Sequence, residues 1–138
     1  MRLLLDTNTV IAALLWNGPP RRLLEAAIDG RVELVTSQHL LDELAAALAY
    51  PKFAQRIAQH GTTIAQLVDR YAALVALAPE ASISPAVAAD PDDDAVLACA
   101  LAARADLVVS GDHALLNLKH YHGIDIVNAA DALVRVRT

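Results

Sequence analysis

The chain has one cysteine, one tryptophan, one phenylalanine and only two lysines, Lys52 and Lys119. A single cysteine, Cys99, excludes an internal disulfide and a cysteine-based zinc cluster. With no signal peptide visible, the thiol count fits a reducing cytoplasm, which is the expected location. Aromatic residues are 4% of the 138 residues while hydrophobic residues are 56%. The expected core is therefore aliphatic, and a disordered chain is excluded. No apolar run approaches the roughly 18 residues of a membrane-spanning helix, so no membrane partner is expected. Repeats, low-complexity tails and dividing linkers are also missing, and a single domain over residues 1–138 is expected. Positive charge is in deficit, with 11 Lys and Arg against 16 Asp and Glu and a net charge of −5. That balance argues against a protein that coats nucleic acid nonspecifically. It leaves open a nuclease whose acidity is concentrated at a metal site.

What is present is an alternation of strand and helix signals. "RLLLD" (2–6) reads as a buried strand and "TVIAALLWNG" as a helix. "PPRRLLEAAIDG" has prolines at its start and Gly30 at its end, as a helix should. "RVELVTS" is a strand, and Ser37 caps the helix that stops before Pro51. Two further helices follow, over "PKFAQRIAQH" and "TTIAQLVDRYAALV", then a strand near Val75–Ala78. A helix from Pro91 to about Ala103, the strand "DLVVSGD", a short helix "HALLNL", the strand "IDIV" and a helix capped by Asn128 complete the order. Continuous apolar strands between helices indicate a mainly parallel sheet of four to five strands, covered on both faces. Function in such sheets lies at the carboxyl ends of the strands.

Acidic residues gather at those ends. "DPDDDAVLACA" places Asp90, Asp92, Asp93 and Asp94 ahead of an apolar helix. Asp90 is the expected N-cap, and Asp92 and Asp93 suit the first turn, where the helix dipole favours carboxylates by roughly 0.3–1 kcal/mol each. Asp94 heads a stripe with Leu97, Ala98 and Leu101, and so is expected to face inward. Asp6 closes the first strand, Asp112 follows "LVVS", and Glu43 shares a helix face with Leu40, Leu44 and Ala47. Two carboxylates about 5 Å apart repel by roughly 3 kcal/mol at an effective dielectric of 20. Four together need protons or a cation, and hard oxygen ligands favour Mg²⁺ or Mn²⁺. The five histidines show no metal spacing on a helix and read as surface or turn residues. Cys99 reads as a buried apolar residue, and Trp16 and Tyr71 as packing or interface residues.

At these positions the chain resembles the PIN-domain family, in the form found as the toxin of bacterial toxin–antitoxin pairs (VapC-like). "LLLDTNTVIAAL", "LVTSQHLLDELAAAL", "DPDDDAVLACALAARADLVVSGDHALL" and "HGIDIVNAADAL" carry the resemblance over nearly the whole chain. It implies a three-layer α/β/α, Rossmann-like fold and a metal-dependent endoribonuclease. The acidic quartet then maps to Asp6, Glu43, Asp94 and Asp112. Of these, Asp6, Asp94 and Asp112 hold the metal, directly or through water. The helical face and the 18-residue distance to Asp112 select Asp94 over its neighbour Asp93. Asn8, Ser110 and Asp93 are supporting residues. The resemblance also implies an RNA substrate, a small cognate antitoxin and a homodimer or higher oligomer. Two rivals remain: a catalytically silent module that binds RNA or an antitoxin, and a phosphoaspartate phosphatase or receiver domain with Asp6 as nucleophile.

Overall fold

The computed structural model describes residues 1–81, 83 and 91–137. In chain order the elements are β1 (Arg2–Leu5), α1 (Thr7–Leu15), α2 (Pro19–Ile28), β2 (Glu33–Thr36), α3 (Gln38–Leu48), α4 (Pro51–Gln59), α5 (Ile64–Leu74), β3 (Ala76–Leu77), α6 (Pro91–Ala103), β4 (Leu107–Val109), α7 (His113–Leu118), β5 (His120–Tyr121), β6 (Ile124–Val127) and α8 (Ala129–Arg137). The helix starts follow the capping chemistry. Ser37 accepts the Leu40 N–H at 3.2 Å, Thr63 and Gln66 form a capping box, and Asn128 accepts the Asp131 N–H at 2.8 Å. The expected cap of α6, Asp90, lies outside the described residues.

The strands order as β3-β2-β1-β4-β6-β5, parallel throughout except for the β5–β6 pair. Each central strand alternates between two cores. Leu3 and Leu5 of β1, Leu34 of β2 and Val109 of β4 face a layer formed by α1, α2, α3, α4, α5 and α8. Leu4, Val35, Val108 and Ile126 face the other way, onto α6 and α7. This two-sided burial is why the strands read as unbroken apolar runs. The result is a three-layer α/β/α fold with an aliphatic centre, in which Leu3, Leu4 and Val108 are wholly inaccessible. Truncating such a leucine to alanine costs about 2–5 kcal/mol.

Among the described residues the sheet has one strand more than expected. β5 is only two residues long and pairs with β6 through a His122-Gly123 turn, with φ of 48° and 82°. Two positive φ values in a two-residue loop match the twist of an antiparallel hairpin.

At the amino ends of the strands, Arg2 is a junction. Its backbone N–H donates to Asp106 at 2.7 Å, and its guanidinium to the Ala103 carbonyl at 2.9 Å and to Glu33 at 3.2 Å. These contacts tie β1 to the starts of β2 and β4, leaving the opposite, carboxyl end of the sheet to the acidic residues.

Candidate active site

Three parallel strands end where three helices begin, and the turns between them carry acids or hydroxyls. β1 runs into Asp6 and α1, β2 into Ser37 and α3, and β4 into Ser110, Gly111, Asp112 and α7. The amino end of α6 arrives at the same place. Asp6 is buried at 7% exposure, and one of its oxygens accepts the Thr9 N–H at 2.9 Å. The other accepts the Ser110 hydroxyl in a short hydrogen bond. Ser110 Oγ in turn accepts the Asp112 N–H at 2.9 Å, and Asp112 caps α7 by accepting the Ala114 N–H at 2.7 Å. Capping and site-building are thus done by the same carboxylates. The α1 and α7 dipoles partly offset the charge that the two acids bring together.

These elements enclose a cavity of about 150 Å³ lined by Asp6, Thr7, Asn8, Glu43, Asp92, Asp93, Val96 and Asp112. Among the described residues no lysine or arginine lines it. Glu43 reaches in from α3 and is hydrogen-bonded to Thr7. Its Oε2 is buried without a hydrogen-bond partner among the described residues. Burial pushes the Glu43 carboxyl above its ordinary value, and the negative charges of Asp92 and Asp6 add to that rise. The Thr7 hydrogen bond and the nearby His39 pull the other way. A carboxylate held near other carboxylates, with one oxygen unsatisfied, is relieved by a proton or by a cation. The donors at hand are all oxygens apart from His39, a set suited to a hard divalent ion.

Of the two neighbouring aspartates, Asp93 and not Asp94 lines this cavity. Asp93 is 7% exposed and lines the cavity with the other acids. Asp94 is only half-buried, and together with Ser37, His39, Glu80, Ala98 and Cys99 it walls a neighbouring cavity of about 320 Å³. The reason lies in α6 itself, where Val96, Leu97, Ala98, Cys99 and Ala100 are buried in succession. A helix apolar around most of its girth offers a stripe from Asp93 (Val96, Leu97, Ala100) as readily as from Asp94 (Leu97, Ala98, Leu101). Leu101 proves only half-buried, so the stripe from Asp94 is the weaker of the two.

Asp92, expected to serve only the helix dipole, also lines the cavity. Asn8 is exposed on its rim and borders a second hollow with Ser110, Gly111 and Asn128. Sequence reasoning missed His39. One ring nitrogen of His39, one oxygen of Glu43 and one of Asp92 all lie within 4.8 Å of one another. The signal was the four-residue spacing of His39 and Glu43, which sets both on one face of α3. A search for histidine pairs alone passes over it.

A family model described as a PIN domain matches residues 2–114. No curated protein and no solved structure matches the chain.

Proposed function

Since this chain belongs to the PIN-domain family, whose members are generally nucleases that use divalent metal ions, we propose that it is a Mg²⁺- or Mn²⁺-dependent endoribonuclease and the toxin of a bacterial toxin–antitoxin pair. The observation that carries this reading is the convergence of Asp6, Glu43, Asp92, Asp93 and Asp112 on one small cavity without a basic residue among the described ones.

Asp6, Asp93 and Asp112 would hold the cation. When bound, it supplies Lewis-acid polarisation of the scissile phosphate and lowers the pKa of a coordinated water. The protein's own contribution is positional. Ser110 fixes one Asp6 oxygen and the Asp112 backbone at once. Glu43, with its affinity for protons raised, orients the attacking water and accepts its proton. Asn8, exposed on the rim, is placed to hydrogen-bond the RNA backbone.

Both Asp6 oxygens are engaged, one by Thr9 and one by Ser110. That weighs against the phosphoaspartate reading, in which Asp6 would be a free nucleophile. A silent binding module would have no use for the crowded carboxylates.

A small antitoxin finds support in an apolar groove of about 400 Å³ between α1, α2 and α5, lined by Leu14, Leu24, Ile28, Leu67 and Leu74. Arg21 and Arg70 stand at it beside buried Tyr71. That combination suits an acidic, amphipathic segment. Exposed Trp16, Tyr50 and Val134 offer apolar surface for a homodimer or higher oligomer. No helix among the described residues is long and apolar enough to cross a membrane, and the buried lone thiol of Cys99 suits the cytoplasm as the place of action.

The decisive experiment is cleavage of mixed RNAs in Mg²⁺ or Mn²⁺ and in EDTA. The wild type should cut only with metal, and Asp6→Asn and Asp112→Asn should abolish cutting while leaving circular dichroism unchanged. Full activity in either mutant would remove that residue from the mechanism, and metal-independent cutting would overturn the reading.

A further inference from the structure

Beside the acid cavity lies a hollow of about 220 Å³ that the proposed chemistry does not use. It sits at the carboxyl ends of β4 and β6, between α1, the first turn of α2 and the start of α8. Asn8 lines both spaces, and Ser110, which donates to Asp6, lines the hollow as well. The hollow and the acid cavity are therefore neighbours with a shared wall. Ala12, Pro20 and Ala129 make the hollow largely apolar, and among the described residues no acidic or basic side chain lines it. It is smaller than the roughly 300 Å³ at which pockets for drug-sized ligands begin, a size that suits a single ring system.

Asn128 brings a fixed amide to this hollow. Its Oδ1 accepts the Asp131 N–H at 2.8 Å as the cap of α8, which settles which end of the amide is oxygen. That oxygen keeps a second lone pair, and Nδ2 donates to no group among the described residues. Gly111, also in the lining, is glycine for neither of the usual reasons. Its φ is not positive, and a Cβ there would meet nothing within 4 Å. What its missing side chain leaves is open space beside the acids.

We propose that the hollow receives the nucleobase adjoining the scissile phosphate and that Asn128 reads this base as adenine. The inference rests on the endoribonuclease reading, because RNA held at the acid cavity is what carries a base to this point. An amide offers an acceptor and a donor side by side, the complement of adenine N6–H₂ and N7. Guanine is ordinarily read by Arg or Lys and cytosine by Asp or Glu, and none of these lines the hollow. The flat base packs between the Pro20 ring and the alanine methyls, as bases drawn out of a strand pack on apolar side chains. Asn8, on the shared wall, stays with the sugar-phosphate backbone.

The probe is a short oligouridylate carrying one adenosine, with the cut positions mapped in Mn²⁺. By kcat/KM, wild type should cut next to the adenosine about tenfold better than next to a uridine. Asn128→Ser keeps a side-chain cap on α8 and should bring that ratio down to about one. Ala12→Leu, on a partly buried turn of α1, narrows the hollow from another wall and should lower the ratio as well. An oligonucleotide with 7-deazaadenosine, which has carbon in place of N7, should lose the preference in wild type and make no further difference in Asn128→Ser. A wild type that does not favour adenosine, or a preference that survives Asn128→Ser, would overturn the inference. Failure of the nuclease reading would show instead as a wild type that cuts neither oligonucleotide in metal. Binding to Asp6→Asn, read by fluorescence anisotropy, then tests the hollow alone. Tighter binding of the adenosine-bearing oligonucleotide, lost on adding Asn128→Ser, would uphold it, and equal affinity for the two oligonucleotides would overturn it.

Discussion

The Ser110 hydroxyl donates to the Asp6 carboxylate across a separation of 104 residues. It also accepts the backbone N–H of Asp112 at 2.9 Å. One side chain, 1% exposed, therefore fixes the two acids that end neighbouring strands. Ser110→Ala should lower metal-dependent cleavage by about 10–100-fold, the usual effect of removing a group that orients a metal-binding residue. The far-ultraviolet circular dichroism should not change. Steady-state cleavage rates across a Mg²⁺ titration check it, and a wild-type rate would show that Asp6 needs no such brace.

The neighbours Asp93 and Asp94 separate on activity. Asp93 lines the acid cavity, whereas Asp94 borders the adjoining one. Asp93→Asn should abolish most cleavage, and Asp94→Asn should cost no more than a few-fold. Parallel assays on the two purified variants decide between them, and the reverse order would return the third acid to position 94.

Most of the fold was legible because the chain obeys local rules. Proline and glycine bracket α2, Ser37 caps α3, Thr63 opens α5, and the apolar runs of β1, β2, β4 and β6 mark a sheet buried on both faces. β5 was not legible. Its two residues are too few for a pattern, and His-Gly is a weaker turn signal than Asn-Gly. Asp6, Glu43 and Asp112 stood out because each breaks an apolar pattern at a strand end or on a packed helix face. The choice between Asp93 and Asp94 depended on the rotation of α6 about its own axis. A helix buried around most of its circumference does not encode that rotation in its hydrophobic periodicity.

Metal should stabilise the folded chain. A cation that binds the assembled cavity and not the unfolded chain contributes about 1.4 kcal/mol at ten times its Kd. For a domain of this size the rise in Tm is roughly 3–8 °C. Thermal melts in EDTA and in Mg²⁺ measure it. Asp93→Asn should shrink the metal-dependent rise, and no shift at several millimolar Mg²⁺ would mean the acids bind no ion.

Glu43 gives the metal-free protein a pH dependence with a defined sign. Burial holds its folded-state pKa above the ordinary glutamate value. As pH climbs from that value, the unfolded chain ionises first, so the Glu43 contribution to stability falls until the raised folded-state pKa has been passed. In EDTA, Glu43→Gln should flatten this part of the profile and be the more stable protein at neutral pH. Denaturant midpoints between pH 4 and 8 would show it. A wild-type profile no steeper than the mutant's would contradict the crowding of Glu43.

Tyr71 is 2% exposed with an unsatisfied hydroxyl, and burial drives its pKa upward. Removing that oxygen relieves a buried polar group, so Tyr71→Phe should stabilise the isolated protein by about 1 kcal/mol. Urea midpoints test it. Lower stability in the isolated protein would show that the hydroxyl already has a partner.

The central position of β1 has a consequence for the ribosome that makes this chain. β1 is translated about 100 residues before β4, yet β4 is one of its two neighbours, and Ser110 links its Asp6 to Asp112. Contacts that span most of a chain form late, because everything between them must first be synthesised and brought together. While β1, β2 and the helices between them emerge, the acids of the amino-terminal half have no counterparts. If the chain cuts RNA as proposed, the ribosome's own RNA lies beside an incomplete site while residues 6–112 are being made. On the nuclease reading proposed above, the acid cavity is assembled only after Asp112 has left the exit tunnel.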